Sequence, residues 1–517
     1  MSDDALDRVA PDHPTRLGDL VRELGGATLA GDANVEVRGV HHDSRRVQPG
    51  DLFVVRKGAS ADGAKYVHDA KTRGASALLV ARGASGDLPA IQVDDVMGAL
   101  ARASAVVYGH PSFGLEVVGV TGTNGKTTTT HLLRTAIDAA KGAPSAGIIG
   151  TVAHGFGGFS VPASHTTPEA DDLQRLMLAM KRAGAGYVAM EVSSIAIAAK
   201  RTAAVRFTVA ALTNLTQDHL DYHGTMEAYA AEKAKLFLDY GPGNSVICVD
   251  HEFGRSLFER VSGPKLRVSA RVGADADVVP SRLALSARGI EGTLKTPRGE
   301  FEFRSPLVGA HNVENLVVAI GCVHALALEI EPALAGLAQD LGAPGRLERC
   351  DDGDDISVLV DYAHTPDALA RVLDALRAVG SKRVVCVFGC GGDRDAKKRG
   401  PMGEAVAARA DVAIVTSDNP RNESPETIAQ PIEEAVRARL SRIDENEIGA
   451  ARGYVVELDR ARAIDLAVRK AAPGDVVLVA GKGHEDYQIV GSEKRPFDDR
   501  EHARAALARR RAKEAAK

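Results

Sequence analysis

An apolar run at residues 117–120 leads directly into a loop rich in glycine and hydroxyl side chains, which ends in Gly125-Lys126-Thr127-Thr128. The apolar run predicts a buried strand, and the spacing of apolar residues over 131–137 predicts a helix after the loop. A strand, a glycine-rich loop and a helix N-terminus in this order are typical of a phosphate-binding site, because loop N–H groups and the helix dipole both favour an anion. In such a site Lys126 reaches the terminal phosphates of a nucleotide and Thr127 binds magnesium. The predicted phosphate-binding residues are Gly122, Thr123, Asn124, Gly125, Lys126, Thr127 and Thr128.

The loop departs from the strict eight-residue phosphate-loop pattern. The first glycine of that pattern falls five positions before Gly125, where this chain has Val120. The loop is therefore a shorter variant, Gly122-x-x-Gly125-Lys126-Thr127. The alternative is a glycine-rich turn with a solvated lysine. The order of strand, loop and helix favours the phosphate site.

The chain has 517 residues, which is more than one hydrophobic core usually supports, and we predict three domains. Strand-like runs alternate with helical patterns, which predicts an α/β fold with mostly parallel sheets and ligands at the carboxyl ends of the strands. The predicted domains are an N-terminal domain over 1–111, a central phosphate-loop domain over 112–343 and a Rossmann-like C-terminal domain over 344–517. The predicted strands, besides 117–120, are 52–55, 77–80, 91–93, 187–190, 207–210, 357–360, 383–387, 412–415 and 476–479.

The charge balance argues against a nucleic-acid partner. Lys and Arg total 64 against 69 Asp and Glu, so the formal net charge is -5 and there is no global basic field. The five cysteines lack zinc-ligand spacing and are expected to be reduced structural thiols. The N-terminal residues do not resemble a signal peptide, and no apolar run is long enough to span a membrane. We expect a cytoplasmic enzyme that acts on small molecules and does not insert into a membrane.

Two clusters downstream contain residue types that bind metals and phosphates. Glu191 follows the predicted strand 187–190, where an acidic side chain could hold magnesium beside Thr127, or could instead be a buried structural carboxylate. The segment 213–224 follows the strand 207–210 and contains His219, His223 and two aspartates. Oxygen and imidazole groups at the carboxyl end of a strand, in a chain with a phosphate loop, favour a second metal or phosphate site.

Two other segments allow a structural explanation. Residues 309–315 precede a helix predicted over 316–327, and they either cap it or place Asn312 and Asn315 near a nucleotide base. The segment from Glu501 onward, with three consecutive arginines at 509–511, is most simply an exposed terminal helix.

These motifs, taken in order, resemble those of the Mur ligases, the ATP-dependent amide-forming enzymes of peptidoglycan precursor synthesis. The similarity covers nearly the whole chain. It is carried by the loop 121–128, Glu191-Val192-Ser193-Ser194, Thr213-Asn214-Leu215, Asp218-His219-Leu220-Asp221, His311-Asn312-x-x-Asn315, Gly345-Arg346-Leu347-Glu348 and Asp361-Tyr362-Ala363-His364-Thr365-Pro366. Within the family, residues 42–53 and Asp418-Asn419-Pro420-Arg421 are similar to those of members that add meso-2,6-diaminopimelate to UDP-N-acetylmuramoyl-L-alanyl-D-glutamate.

The resemblance implies a reaction in which the γ-carboxylate of the glutamyl residue attacks ATP, and an amine then displaces phosphate from the acyl phosphate. Two unit charges about 4 Å apart repel by about 4 kcal/mol at an effective dielectric constant near 20, so cations must neutralise the site. The implied catalytic residues are Lys126, Glu191, His219 and Lys233. The implied Mg²⁺ ligands are Thr127 and Glu191 for one ion, and His219 and a carbamylated Lys233 for a second. From the helical pattern alone, Lys233 is better interpreted as a solvated lysine, and Lys235 faces elsewhere on the helix.

The same resemblance implies further ligand contacts. ATP would contact Asn312 near the base and Arg346 and Asp361 from the third domain, so that domain closure excludes water from the acyl phosphate. The implied contacts to the UDP-linked substrate are His42, Ser44, Thr166, Thr167, Ser193 and Arg201. The chain departs from the family at Ile195 and Ala199, where histidine and glutamine are frequent, so contacts made by those side chains are lost or replaced.

The resemblance also implies that an arginine determines which amino acid the enzyme adds. Diaminopimelate carries a second ammonium and carboxylate that lysine lacks, and an arginine fork that binds the extra carboxylate distinguishes the two. Arg421 has this position. The implied diaminopimelate-binding set is Arg394, Asp418, Asn419, Pro420, Arg421, Gly481 and Glu485.

Four other functions are weighed against this one. A lysine-adding ligase of the same family lacks the arginine motif, and a folylpolyglutamate synthetase needs neither that motif nor the first domain. A phosphate-loop switch or transport ATPase hydrolyses ATP without a carboxylate substrate, and a non-catalytic binding protein does not need Lys126, Glu191, His219 and Lys233 together. We expect a monomer.

Overall fold

The computed structural model describes residues 6–56, 62–84 and 86–515. The chain divides into two compact units. The first comprises residues up to Pro280 with 295–299 and 314–336, and the second comprises 281–294, 300–313 and 337–517. Among the described residues, every helix is too short or too polar to cross a lipid bilayer.

An eight-stranded sheet forms the centre of the first unit. Its strands, from edge to edge, are Phe159–Pro162, Ala153–Phe156, Ala146–Ile149, Tyr187–Glu191, Glu116–Thr121, Val209–Leu212, Asn244–Cys248 and Lys265–Val268. The last six are parallel to one another, and the two at the other edge add antiparallel pairs. The strand that leads into the glycine-rich loop is therefore central and has a parallel neighbour on each side. The helices of this part are Lys126–Lys141, Ala170–Arg182, Ser194–Ala198, Leu220–His223, Met226–Leu238 and Glu252–Arg260.

The N-terminal part of the first unit contains a second sheet. Its strand order is Thr28–Ala30, Ala90–Val93, Ala77–Ala81, Asp51–Val54 and Gly39–His41. Only the first of these strands is antiparallel to its neighbour. The helices Leu17–Leu24, Val67–Thr72 and Val96–Val107 accompany this sheet, and Thr15–Arg16 pairs with Glu36–Val37.

A six-stranded sheet forms the core of the second unit. Its order is Glu348–Arg349, Ser357–Asp361, Val476–Ala480, Val384–Phe388, Val412–Val415 and Gly453–Val456, and only the first pair is antiparallel. A hairpin of Tyr487–Val490 and Glu493–Pro496 follows. The helices are Pro366–Ala378, Arg399–Ala407, Pro425–Arg437, Arg460–Lys470 and Asp499–Ala515.

The remaining elements contribute residues to both units. They are a three-stranded sheet of Val279–Ser286, Gly289–Thr296 and Gly299–Ser305, and the helices Ala310–Ala325 and Ile330–Leu337. Short 3₁₀ turns occur at Ser44–Arg46, Gly63–Tyr66, Pro111–Gly114, Ala396–Lys398 and Glu445–Glu447.

The α/β class and the mostly parallel sheets are confirmed, and each predicted strand has an observed counterpart. The strand predicted at 207–210 lies at Val209–Leu212, and the helix predicted to start at residue 316 starts at Ala310. All five cysteines are buried free thiols, as expected. The three domain boundaries remain predictions.

The predicted terminal helix is present, but one of its faces is buried rather than exposed. In the helix Asp499–Ala515, Ala503, Ala506 and Leu507 are fully buried and belong to one core of the second unit. Arg510 is also buried, and its guanidinium donates to the carbonyls of Val468 and Ala471. The helix has one small apolar face, which is hard to recognise in an arginine-rich sequence.

The same helix begins at a buried ion pair. The Arg460 and Asp499 side chains are both inaccessible to solvent, and the Arg460 Nε and Nη2 donate to the two Asp499 carboxylate oxygens at 2.7 and 2.6 Å. Arg460 also donates to the carbonyls of Ser417 and Ala480. The guanidinium therefore joins the ends of two strands of the second unit to the last helix.

We predict that Asp499→Ala lowers the free energy of unfolding by about 3–5 kcal/mol, because it leaves the Arg460 charge buried without its partner. Denaturant titration measures this change. The matched control is Glu445→Ala, which removes one exposed partner of Arg462 and is expected to cost less than about 1 kcal/mol. Equal effects of the two substitutions would contradict the prediction.

Candidate active site

The glycine-rich loop joins the central strand Glu116–Thr121 to the helix Lys126–Lys141. Gly122 and Gly125 have φ angles of 150° and 86°. A Cβ on Gly122 would lie 1.9 Å from the Thr213 Oγ1. Only glycine therefore fits at this position of the loop. The Thr213 hydroxyl donates to the Asn124 carbonyl at 2.6 Å, and no side chain caps the helix. The first N–H groups of this helix are thus in the arrangement that binds an anion.

Glu191 lies at the carboxyl end of the adjacent strand and is 1% exposed. Its carboxylate accepts hydrogen bonds from the Thr127 hydroxyl at 2.9 Å, the Thr151 N–H at 2.7 Å and the Thr151 hydroxyl at 3.2 Å. A carboxylate beside a hydroxyl at a phosphate-binding helix is an oxygen donor set that suits Mg²⁺. The structure thus brings Thr127 and Glu191 together as the sequence predicts.

Two lysine amines share one carbonyl oxygen of the loop. The Nζ of Lys126 and the Nζ of Lys233 each donate to the Gly122 carbonyl at 2.9 Å. Lys126 also donates to the Thr123 carbonyl at 2.9 Å. The helical pattern favours a solvated Lys233, but this side chain is buried, whereas Lys235 is exposed and pairs with Glu232. Burial, and then the charge of Lys126, place the pKa of Lys233 well below its usual range.

Tyr229 contacts both the Lys233 amine and the His219 ring. The Lys233 Nζ lies 4.6 Å from the centre of the Tyr229 ring, and the Tyr229 hydroxyl is 3.2 Å from the Thr123 Oγ1. Burial raises the pKa of Tyr229 to about 12. The His219 ring packs edge-on against Tyr229, has a left-handed backbone at φ 51° and is partly exposed. Lys126 and Lys233 therefore lie at one end of the loop, and His219 packs on the tyrosine that contacts Lys233.

The residues predicted to bind the UDP-linked substrate lie next to Glu191. The Thr167 hydroxyl donates to the Glu191 carbonyl at 2.8 Å and accepts from the Ser193 N–H at 3.1 Å. The Arg201 guanidinium donates to the Thr167 carbonyl at 3.0 Å. The Thr166 and Thr151 hydroxyls are 3.1 Å apart. Ile195 and Ala199 lie in and directly after the short helix Ser194–Ala198.

His42 and Ser44 belong to the N-terminal part of the same unit. The Nδ1 of His42 lies 2.8 Å from the carboxylate of Asp171, which is fully buried. Burial lowers the pKa of His42, but the charge and the hydrogen bond of Asp171 outweigh burial, so the pKa is raised. Burial correspondingly raises the pKa of Asp171, but His42 outweighs it, so that pKa is lowered. Ser44 is buried at the start of the turn Ser44–Arg46.

The second unit contains Asn312, Arg346 and Asp361. The Asp361 carboxylate accepts from the N–H groups of Leu347 and Ala363, both at 2.8 Å, and burial raises its pKa despite the nearby Arg346. The Arg346 guanidinium stacks 4.8 Å from the centre of the Tyr362 ring. Asn312 is buried, and its amide donates to the Val308 carbonyl at 2.8 Å. Arg346 and Asp361 are brought together, and the three ATP contacts remain predictions.

Another cluster of the second unit contains most of the predicted diaminopimelate-binding residues. The Asn419 amide donates to the Glu485 carboxylate at 3.0 Å, and the Arg421 Nη1 donates to the Gly392 carbonyl at 2.8 Å. The environment of Gly391 includes both the Arg421 Nη1 and the side chain of Arg394, and a Cβ on Gly481 would lie 2.7 Å from an Asp418 oxygen. The structure thus brings together the loop 418–421, the segment 391–394 and residues 481–485.

Comparison with known proteins identifies the family. Three family models match successive parts of the chain: the Mur ligase family catalytic domain over 36–108, the Mur ligase middle domain over 120–323 and the Mur ligase glutamate ligase domain over 345–483. A relative from Gloeobacter violaceus is 45% identical over 93% of this chain and 96% of its own length. The chain belongs to the Mur ligase family.

The similarity to individual Mur ligases extends over more than nine-tenths of the chain. The Gloeobacter relative is named UDP-N-acetylmuramoyl-L-alanyl-D-glutamate--2,6-diaminopimelate ligase, as is a relative from Synechococcus elongatus that is 46% identical over 92% of this chain and 95% of its own. A solved structure of a ligase with that name has a TM-score of 0.71 at 30% identity and covers 96% of this chain and 100% of its own. The predicted family and three-domain α/β architecture are confirmed, and this Mur ligase is an ATP-dependent amide-forming enzyme.

Two residues at the site of this Mur ligase were not predicted from the sequence. Thr151 binds Glu191 through both its N–H and its hydroxyl, yet it lies in a short connection without a recognisable motif. Lys482 is fully buried and donates to Asn419 and Glu485 at 3.2 and 3.0 Å. The position of Lys482 two residues after the apolar run Val476–Ala480 was an available signal, because parallel strands place functional groups at their carboxyl ends.

The His42–Asp171 pair predicts a pH-dependent stability. Because the folded-state pKa of His42 is raised above its usual 6.5, the pair stabilises the fold fully below pH 6.5, and this contribution is lost as the pH rises through the raised pKa. We expect the difference in free energy of unfolding between wild type and His42→Gln to be largest below pH 6.5 and to shrink at higher pH. Denaturant titrations at several pH values measure it. A difference that grows with pH would contradict the assignment.

Proposed function

We propose that this Mur ligase uses ATP to add meso-2,6-diaminopimelate to UDP-N-acetylmuramoyl-L-alanyl-D-glutamate, in peptidoglycan precursor synthesis. The observation that carries the proposal is the identity of 45–46% over more than nine-tenths of the chain to ligases with this named substrate pair. The motif Asp418-Asn419-Pro420-Arg421, which is similar to that of the diaminopimelate-adding members, supports the choice of amino acid. We further propose that the enzyme is a monomer in the cytoplasm, where ATP is supplied.

In the proposed reaction the loop N–H groups and Lys126 bind the phosphates of ATP and offset their charge. The γ-carboxylate of the glutamyl residue attacks the γ-phosphorus, and ADP leaves as the acyl phosphate forms. The amine of diaminopimelate then attacks the acyl carbon, loses a proton and displaces inorganic phosphate. Thr166, Thr167, Ser193 and Arg201 hold the glutamyl end of the substrate beside Glu191. Arg346 and Asp361 are further proposed contacts to ATP.

The donor groups near the loop fit Mg²⁺. Thr127 and Glu191 would hold one ion, and His219 and a carbamylated Lys233 a second; bound Mg²⁺ supplies positive charge where two anions must meet. Lys233 is suited to carbamylation, since a buried amine with a lowered pKa has a neutral fraction that attacks CO₂. The modification replaces a cation that repels Mg²⁺ with anionic oxygens.

A specificity experiment tests the proposed function. We expect phosphate release from ATP to require UDP-N-acetylmuramoyl-L-alanyl-D-glutamate and meso-diaminopimelate, with much less turnover on L-lysine. Because Arg421 presents a fork to the extra carboxylate, Arg421→Ala should lower kcat/KM for diaminopimelate by about a hundredfold or more. The control Arg462→Ala removes a side chain that is 61% exposed in the same unit and should leave turnover unchanged.

Three outcomes of this assay would contradict the proposal. Equal turnover with lysine would favour the lysine-adding ligase. Turnover without the UDP-linked substrate would favour a general ATPase. A requirement for a folate substrate instead of the UDP-linked one would favour a folylpolyglutamate synthetase.

The role of Lys233 has its own test. We expect Lys233→Met to lower kcat by about a hundredfold or more, because it removes an oxygen ligand from the charged centre, whereas Lys235→Met should behave like wild type. Intact-mass measurement at neutral pH should show the added mass of one CO₂ in wild type and in Lys235→Met, and its loss in Lys233→Met. Unmodified wild-type protein that is fully active in bicarbonate-free buffer would exclude carbamylation.

A further inference from the structure

Glu169 joins two arginines from distant parts of the chain. Its carboxylate is buried, with one oxygen 2.8 Å from the Arg201 Nη2 and the other 3.1 Å from the Arg56 Nη1. Arg56 follows the strand Asp51–Val54 of the N-terminal sheet. Glu169 itself directly precedes the helix Ala170–Arg182. The two guanidinium groups are therefore held against one carboxylate, within the first unit.

The cluster has an excess of positive charge. Two guanidinium groups and one carboxylate leave a net charge of one, and two histidines lie within electrostatic reach. The pKa of His165 is lowered by burial and by Arg201, with a smaller contribution from Arg56, and Arg56 also acts to lower the pKa of His42. A local excess of positive charge attracts an anion.

Both arginines have N–H donors without an acceptor among the described residues. The Arg201 Nε is buried and has no hydrogen-bond partner there. For Arg56 the one ion pair within the described part of the chain is that with Glu169, and about a third of the side chain is exposed. A buried donor without an acceptor is costly, so a bound anion that accepts from Arg201 relieves that cost.

The cluster lies against the site already described. Arg201 donates to the Thr167 carbonyl, and the Thr167 hydroxyl in turn donates to the Glu191 carbonyl. Glu191 binds Thr127 at the phosphate loop. One continuous set of hydrogen bonds thus leads from the arginine pair to the phosphate loop, along which the UDP-linked substrate is proposed to lie.

We propose that Arg56 is a further substrate-binding residue, and that Arg56 and Arg201, held side by side by Glu169, form a paired-guanidinium receptor for an anionic group of the UDP-linked substrate. The inference rests on the proposed function and deepens it. Two parts of that substrate carry the required chemistry, the diphosphate and the glutamyl carboxylates. Paired arginines suit either group, because each guanidinium presents two parallel N–H donors.

Steady-state kinetics of Arg56→Gln test the role of Arg56. We expect the KM for the UDP-linked substrate to rise about tenfold to a hundredfold, as for the loss of a hydrogen bond to a charged group, with kcat within about threefold of wild type. The KM for ATP and for diaminopimelate should not change. Arg56→Lys keeps the positive charge but loses the two parallel N–H donors. Its KM for the UDP-linked substrate should lie between those of wild type and Arg56→Gln. The control Arg73→Gln removes an exposed arginine that pairs with Asp69 in the same N-terminal part of the chain, and it should match wild type.

Inhibition by UDP identifies the anionic group. If Arg56 binds the diphosphate, the inhibition constant of UDP should rise in Arg56→Gln by a factor similar to the KM. If Arg56 binds a carboxylate, the KM should rise while inhibition by UDP is unchanged. An active Arg56→Gln enzyme with an unchanged KM would overturn the inference and leave the proposed function intact. A wild-type enzyme without turnover on the UDP-linked substrate would overturn both.

Discussion

The carboxylate of Glu191 is the interaction on which the arrangement of the first unit's site depends. It binds Thr127 at the start of the phosphate-loop helix and Thr151 after a neighbouring strand, while its own backbone carbonyl accepts from Thr167. A buried carboxylate needs such donors to offset its lost hydration. Because one residue holds three segments together, the phosphate loop and the threonines proposed to bind the substrate are positioned by Glu191.

The two amines on the Gly122 carbonyl impose a second constraint. Two ammonium groups that share one acceptor repel each other, and the more buried of them, Lys233, has the lowered pKa. Two lysines that look equivalent in the sequence therefore have different environments at the loop. Lys126 is the amine proposed to bind phosphate, and Lys233 is the amine proposed to be carbamylated.

Much of this arrangement could be predicted from the sequence, because parallel α/β sheets place loops and motifs at the carboxyl ends of apolar strands. The phosphate loop, Glu191 and the 418–421 loop follow that rule. Lys233 does not, since its helical pattern gives no sign that the helix buries that face against the loop. The pairs His42–Asp171 and Arg56–Glu169 join residues more than a hundred positions apart, and a single sequence without an alignment carries no signal for such contacts. The buried face of the terminal helix was not predicted, because it consists mostly of alanine within a strongly charged sequence.

The backbone of Arg421 is held by the hairpin that follows the last strand of the six-stranded sheet. The Arg421 N–H donates to the Ile489 carbonyl, the Gly491 N–H donates to the Arg421 carbonyl, and the arginine has a left-handed φ of 52°. In the hairpin the strand Glu493–Pro496 is exposed, and the strand Tyr487–Val490 is half-buried. Substitutions in this hairpin are therefore a route by which evolution shifts Arg421, the proposed specificity residue, without replacing it.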